Sequence, residues 1–467
     1  MMTRHRIFST AFLLTAAFLT FFPLRAGDYE TLYKDLPVAL PEPSLPSIPA
    51  FTLTLTDFGA VGDGITDNTA AFEKAISALS KKGGGHLVVP AGIFLTGPIV
   101  LKDRTDLHLE RGALILLSPD KTAHIRKGKV QPGISASNRS DVSITGDGII
   151  DGNGEWWRGV KRGKVSNVEW GDFRRMGGTM TEDGQIWYPF DLKVFPNVAV
   201  TAPEQEKMRT HLVRFTDCER VLVQGVTLQH APKFHLVPQR CRQVVIDGVT
   251  VRCPWNAQNG DGIDLMNSQD VLVTRCRVDV GDDGICLKGG VGEAGVQDGP
   301  CARILVTENI VFRAHGGFVI GSDFSGGMED IVVCRNTFSG TDTGLRFKSA
   351  SGRGGKCRAI RISDIIMTDI RDAAVSFRTS YVDMPVGRTE AVVRQTSGFV
   401  PEFSDIQISR VTCRDTRIAV AAKGTLEMVH DIVLSDCVFF YSETAMRLDD
   451  PASIHFENVR FETFEKN

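Results

Sequence analysis

The sequence predicts an all-β solenoid, a single-stranded parallel β-helix, and three observations point there. First, an apolar-x-apolar signature recurs as Val142-Ser143-Ile144, Val221-Leu222-Val223, Val244-Val245-Ile246, Val271-Leu272-Val273, Ile304-Leu305-Val306, Ile331-Val332-Val333, Ile360-Arg361-Ile362, Ile406-Gln407-Ile408 and Ile432-Val433-Leu434. From 221 to 360 the starts lie 23, 27, 33, 27 and 29 residues apart, a period typical of stacked repeats. Second, each unit adds another short strand, such as Val226-Thr227-Leu228, and often a third, such as Gly262-Ile263-Asp264-Leu265. These alternate with period two and are broken by Gly, Asn and Asp, which excludes helical repeats. Propeller blades need longer units of about 40 residues with four strands. Third, 46 of 467 residues are Gly and only 8% are aromatic, which favours short strands and tight turns.

The elements follow in chain order. Arg4, His5 and Arg6 precede an apolar run over residues 7–22, and Pro23-Leu24-Arg25-Ala26 offers a cleavage site. Residues 1–26 are therefore expected to be a signal peptide, with the chain exported to the periplasm or the medium. The run is too short for a comfortable membrane span and no later one replaces it. Cleavage would remove Arg4, Arg6 and Arg25 and no acid, taking the net charge from −3 to −6. That balance argues against nucleic acid as partner. A content of 42% hydrophobic and 23% charged residues excludes a disordered chain.

Residues 27–50 hold prolines at 37, 41, 43, 46 and 49 and read as an extended linker or strap. Residues 51–467 read as one β-helix domain. At its start, Asp67 is expected to cap a helix with Phe72, Ile76 and Leu79 on one face, ending before Gly83-Gly84-Gly85. Such a helix closes the apolar end of a solenoid. Cys218/Cys241, Cys253/Cys276 and Cys334/Cys357 are each 23 apart and Cys413/Cys437 are 24 apart. This spacing favours buried thiols stacked on neighbouring coils, with few or no disulfides.

Asp-Gly occurs eight times, so a single copy is a turn before it is a site. What stands out is a cluster on consecutive coils: Asn259-Gly260-Asp261-Gly262-Ile263-Asp264, Gly281-Asp282-Asp283-Gly284, His315-Gly316-Gly317 and Arg346-Phe347-Lys348. Coils stack at about 4.8 Å, so these residues can line one groove. Glycoside hydrolysis needs one carboxylic acid to protonate the leaving oxygen and another carboxylate to activate water. Aspartates held close cannot all ionise easily, so one is expected to be pushed upward as a proton donor. Arg346 and Lys348 share a strand face and suit an anionic sugar carboxylate.

These motifs resemble glycoside hydrolase family 28, the polygalacturonases and related pectin hydrolases, from Thr56-Asp57-Phe58-Gly59-Ala60 to Arg353-Gly354-Gly355. The resemblance implies a right-handed β-helix and a metal-free, cofactor-free inverting hydrolysis of galacturonate linkages in an anionic pectic substrate. It implies Asp282 as general acid, Asp261 and Asp283 as the groups activating water, and His315 orienting the acid. Arg346 and Lys348 would hold the galacturonate carboxylate, with Asn259 and Tyr381 also contacting substrate. Gly260, Gly284, Ala314 and Phe347 depart from the family's Thr, Cys, Gly and Ile, and none removes an acid–base group.

Residues 155–208 interrupt the coil rhythm with Trp156, Trp157, Trp170, Trp187, Tyr188 and Phe190. They are expected to wall off one end of the groove with aromatic faces and so to favour action from chain ends. A second insertion, residues 289–300, is expected to narrow the cleft. The pattern His315-Gly316-Gly317, with Gly321-Ser322 and Gly326-Gly327, also resembles the family's bacterial exo-acting members. Two other readings stay open. One is a pectate-lyase-like β-elimination using Ca²⁺, and the other is a non-catalytic carbohydrate-binding β-helix. For Asp282→Asn the expectation is lost turnover with stability unchanged or raised, because like-charge repulsion is relieved.

Overall fold

The computed structural model describes residues 29–191, 201–382, 398–449 and 453–464; the expected signal peptide lies outside the described residues. The chain winds as a right-handed parallel β-helix with three strands per coil, stacked into three parallel ribbons. The first ribbon contains the recurring signature, in register from Val142 through Val221, Val244, Val271, Ile304, Ile331 and Ile360. The residue before each triplet, among them Arg220, Gln243, Asp270, Arg303 and Asp330, sits at φ between 48° and 59°. A left-handed kink therefore recurs at the entry to this ribbon, coil after coil, in non-glycine residues. The second ribbon stacks Thr227–Gln229, Thr250–Arg252 and Arg277–Asp279. The third stacks Leu236–Gln239, Ile263–Met266, Asp283–Lys288, Gly316–Gly321, Thr343–Lys348 and Ile370–Arg378.

Alternate residues of all three ribbons point inward and form one continuous core. In the third ribbon Ile263, Ile285, Phe318, Leu345 and Val375 stack on one line and Leu265, Leu287, Ile320, Phe347 and Phe377 on another. Phe347 and Phe377 stack face to face at 4.5 Å. The intervening residues face outward, and the period-two alternation thereby dictates which side chains meet in the groove.

The N-terminal helix Thr69–Lys81 buries Phe72, Ala75, Ile76 and Leu79 against the first coils. Its cap corrects the sequence reading by one residue. Asn68 is the N-cap, but its side chain instead bonds Val61, Thr66 and Leu95. The Asp67 carboxylate still accepts from the Thr69 backbone N–H at 2.9 Å.

The middle residues of the signature explain a second contact. Leu222, Val245, Leu272, Leu305 and Val332 point outward yet are buried, because Tyr29, Leu32, Leu36, Val38, Leu40 and Leu45 lie over them. The segment is pinned by Tyr29 Oη to Asp247 (3.1 Å), Arg335 to the Leu32 carbonyl (3.1 Å) and Ser47 N–H to Asp141 (2.9 Å). Further along, beyond the apolar part of this segment, the middle residue becomes Arg361 or Gln407.

All ten cysteines are buried, free thiols, but the expected stacking is mostly wrong. Cys218 and Cys241 do lie beside each other on neighbouring coils, directly before the paired residues Glu219 and Arg242. Cys334 registers instead with Ser363 and Cys413 with Phe439. Those coils are longer than the 23- or 24-residue spacing that suggested the pairs.

Candidate active site

The third ribbon carries the cluster. Asp282 closes the turn before Asp283–Lys288, with Oδ1 3.0 Å from His315 Nδ1 one coil on. Its carboxylate also accepts the backbone N–H groups of Asn259 and Asp283, both at 3.1 Å. Asp283 is buried and receives Arg346 Nη1 at 2.9 Å on one oxygen and Lys348 Nζ at 2.7 Å on the other. The ring of Tyr381 lies 4.9 Å from Lys348 Nζ and 5.7 Å from the Arg346 guanidinium carbon. Asp261, Asp282, Asp283, His315, Arg346, Lys348, Tyr381 and Asn259 therefore converge, although Asn259 and Tyr381 lie 122 positions apart.

Asn259 is also engaged within the protein. Its backbone N–H holds Asp282, while its side-chain oxygen accepts from Arg209 Nη2 at 2.8 Å. Arg346 and Lys348 are likewise engaged with Asp283 before any substrate arrives. Arg346 keeps further donors of its fork available for a second carboxylate.

Lys288 and Lys164 were not singled out from sequence, and Asp264 stood at the end of the first motif without a role. Lys288 Nζ bridges Asp261 Oδ2 at 3.0 Å and Asp264 Oδ1. Asp264 is fully buried, and among the described residues the second oxygens of both Asp261 and Asp264 have no hydrogen-bond partner. Lys164 reaches in from the long insertion, with Nζ 2.8 Å from the Gly281 carbonyl and 3.4 Å from His315 Nε2. The signal for Asp264 and Lys288 was their outward phase beside buried Ile263, Leu265 and Leu287; Lys164 left none.

The electrostatics divide the aspartates. Burial alone raises a carboxyl, but His315, Lys348 and Lys164 override it and hold Asp282 well below the usual range. Lys348 and Arg346 likewise overcome burial at Asp283 and lower it. Burial and the repulsion of Asp264 push Asp261 well up, against Lys288. Burial, only partly offset by Lys288, pushes Asp264 up to about 6. Crowding does push a carboxyl upward, as expected, but the raised groups are Asp261 and Asp264 and not Asp282.

The aromatic wall is also corrected. Trp157, Trp170, Trp187, Tyr188 and Phe190 are buried within the insertion, whose short strands Val160–Lys161, Thr179–Met180 and Ile186–Tyr188 pair antiparallel. They form its own small core, and the group it sends to His315 is a cation. The second insertion forms the helix Gly292–Asp298, which meets Ser325 and Arg240 and contributes no residue to the cluster.

The family model for glycosyl hydrolases family 28 matches residues 164–447. A second model, rhamnogalacturonase A/epimerase, pectate lyase-like, matches residues 53–108. The chain is 26% identical over 433 residues to an exo-poly-α-D-galacturonosidase of Dickeya chrysanthemi, covering 88% of this chain and 70% of that one. A hyperthermoactive exopolygalacturonase from Thermotoga maritima matches with a TM-score of 0.71 at 27% identity, covering 90% of this chain and 94% of that one. A family 28 exopolygalacturonase of Yersinia enterocolitica shares the fold with a TM-score of 0.63 at 22% identity, covering 89% and 79% respectively.

Proposed function

The chain belongs to family 28 of the glycosyl hydrolases, and from that premise we propose that it hydrolyses α-galacturonosidic linkages of pectic chains, releasing single sugars from chain ends. The observation that carries this reading is the juxtaposition of two differently charged units: Asp282 paired with His315, and Asp283 clamped by Arg346 and Lys348. Asp282 and His315 act as a pair that stores one proton. The proton passes along their 3.0 Å contact to Asp282, which delivers it to the glycosidic oxygen as the bond breaks. Asp261 and Asp283 orient the attacking water. One of these two carboxylates takes up the proton that the water loses. Arg346 and Lys348, beneath Tyr381, receive the substrate carboxylate.

Exo-action is supported by the exo-acting relatives and by Lys164 and Arg209, which bring the long insertion against Gly281, His315, Gln258 and Asn259 on one flank of the cluster. The proposal extends to a strap over residues 27–50, a catalytic β-helix over 51–467 and export of the chain. Among the described residues no helix is long and apolar enough to cross a membrane.

A time course on polygalacturonic acid, with and without a chelator, tests the reading. Early monosaccharide with slowly falling viscosity, unaffected by chelator, is the expected result. Chelator-sensitive release of unsaturated, ultraviolet-absorbing products would replace it with a lyase. A ladder of oligomers with rapid viscosity loss would overturn exo-action, and no product at all would leave a binding protein.

A further inference from the structure

Outward positions of the third ribbon continue past the cluster toward the C-terminus. Lys348 registers with Arg378, Arg378 with Lys423, and Lys423 with Asp449. Buried Phe377 and Ala422 precede Arg378 and Lys423, so alternation turns both cations to the face that Lys348 occupies. Neighbouring rungs lie about 4.8 Å apart. Arg378 and Lys423 are exposed and have no ion-pair partner among the described residues. Some exposed arginines elsewhere on the solenoid find a carboxylate on an adjacent coil, as Arg139 does with Asp103, Arg410 with Asp364 and Arg417 with Glu443, whereas Arg242, Arg277 and Arg313 are also exposed without an ion pair among the described residues, so it is the register of Arg378 and Lys423 with Lys348 that sets these two apart. Two unpaired cations in line with a buried one repel each other unless an anion joins them.

The opposite flank differs. There Lys164 and Arg209 anchor the long insertion on Gly281 and Asn259, and Arg214 and Lys233, which also have no ion pair among the described residues, are half-buried, so the exposed cations in register with Lys348 are those on the C-terminal side.

We infer that Lys348, Arg378 and Lys423 form a three-rung ladder that binds successive carboxylates of the polyanionic chain beyond the scissile bond, with Asp449 ending it. This rests on the proposed galacturonan hydrolysis and adds a direction and a length to it. Lys348 serves the sugar at the bond, Arg378 the next, and Lys423 the one after. The ladder therefore acts on oligomers in order of length.

The test compares KM for di-, tri-, tetra- and pentagalacturonate in the full chain and in Arg378→Ala and Lys423→Ala. Arg378→Ala should raise KM about three- to fivefold, the size of an exposed charge contact, from the trimer upward and leave the dimer's KM within twofold. Lys423→Ala should do so only from the tetramer upward. Neither should change the pentamer more than the tetramer, because the next rung is an acid. Arg378→Lys should restore most of the trimer's KM, and added salt should narrow every difference. An equal change at all lengths, or none at any length, would overturn the ladder while leaving hydrolysis standing. Failure of the parent chain to cleave any of the four would instead overturn the underlying reading.

Discussion

The four aspartates of the cluster lie on adjoining coils of one ribbon, yet they behave as two pairs. Asp282 and Asp283 are surrounded by His315, Lys164, Arg346 and Lys348 and are held ionised. Asp261 and Asp264 share the single cation Lys288, keep an unbonded oxygen each, and are pushed upward. Burial is common to both pairs, so the supply of cations decides the difference. Proximity of carboxylates does not by itself produce an acid. It produces one where the positive charges run short, and at this site that is beside the base.

Asp282→Asn tests the well-supplied pair most severely. Turnover should fall by about a hundredfold or more, the scale of general-acid catalysis. Stability should fall too, contrary to what crowding of like charge suggests. A carboxylate whose folded value is depressed stabilises the fold above its unfolded value of about 3.9, and that contribution is lost as pH falls below it. Asp282 is half-buried and His315 a third exposed, so urea unfolding should show a loss of about 1 kcal/mol at pH 7, which shrinks below about pH 4. Unchanged stability at pH 7 would erase the contrast between the pairs.

Lys348→Ala makes the well-supplied pair resemble the other. KM for galacturonate substrates should rise about tenfold or more, with a smaller effect on any neutral analogue that is cleaved. Asp283 loses one of its two cations, so the acid limb of the kcat/KM profile should move to higher pH. Equal losses on charged and neutral substrates, with an unmoved limb, would make Lys348 structural.

Asp264→Asn acts on the poorly supplied pair with the opposite sign. A carboxyl raised to about 6 costs nothing below its unfolded value and destabilises increasingly as pH rises through the folded one. The variant should match the parent at pH 4 and be more stable by about 1 kcal/mol at pH 8, read from paired urea titrations. Lys164→Ala should be the mildest, lowering kcat/KM by about two- to fivefold while leaving the pH dependence set by Asp264 intact. A change in that dependence would mean the pairs are not separate.

The fold was legible because inward residues of the first ribbon repeat at every coil, and the Asp261, Asp282–Asp283, His315 and Arg346/Lys348 motifs fall on the third. Which residues meet across coils was less so. Coils vary in length, so Cys334 aligns with Ser363 and not with Cys357, and the Asp264–Lys288 contact needs a register that spacing alone does not supply. Lys164 lies 117 positions from the carbonyl it binds inside an insertion with its own core. There the aromatic content, read as a sugar-facing wall, answers the ordinary need of a small added unit to bury something.

The segment over the first ribbon has a consequence for how this molecule comes apart. In a solenoid each coil touches only its neighbours, so coils can fray singly from an end. Here one extended segment, tied at Asp141, Asp247 and Arg335, covers Leu222, Val245, Leu272, Leu305 and Val332 in turn. Opening any of these coils lifts the cover from the next, exposing a continuous apolar stripe. The middle of the helix, which holds the Asp282 turn, is thereby made to unfold as one cooperative block, and its amide protons should exchange together while those of the coils beyond Ile360 exchange one coil at a time.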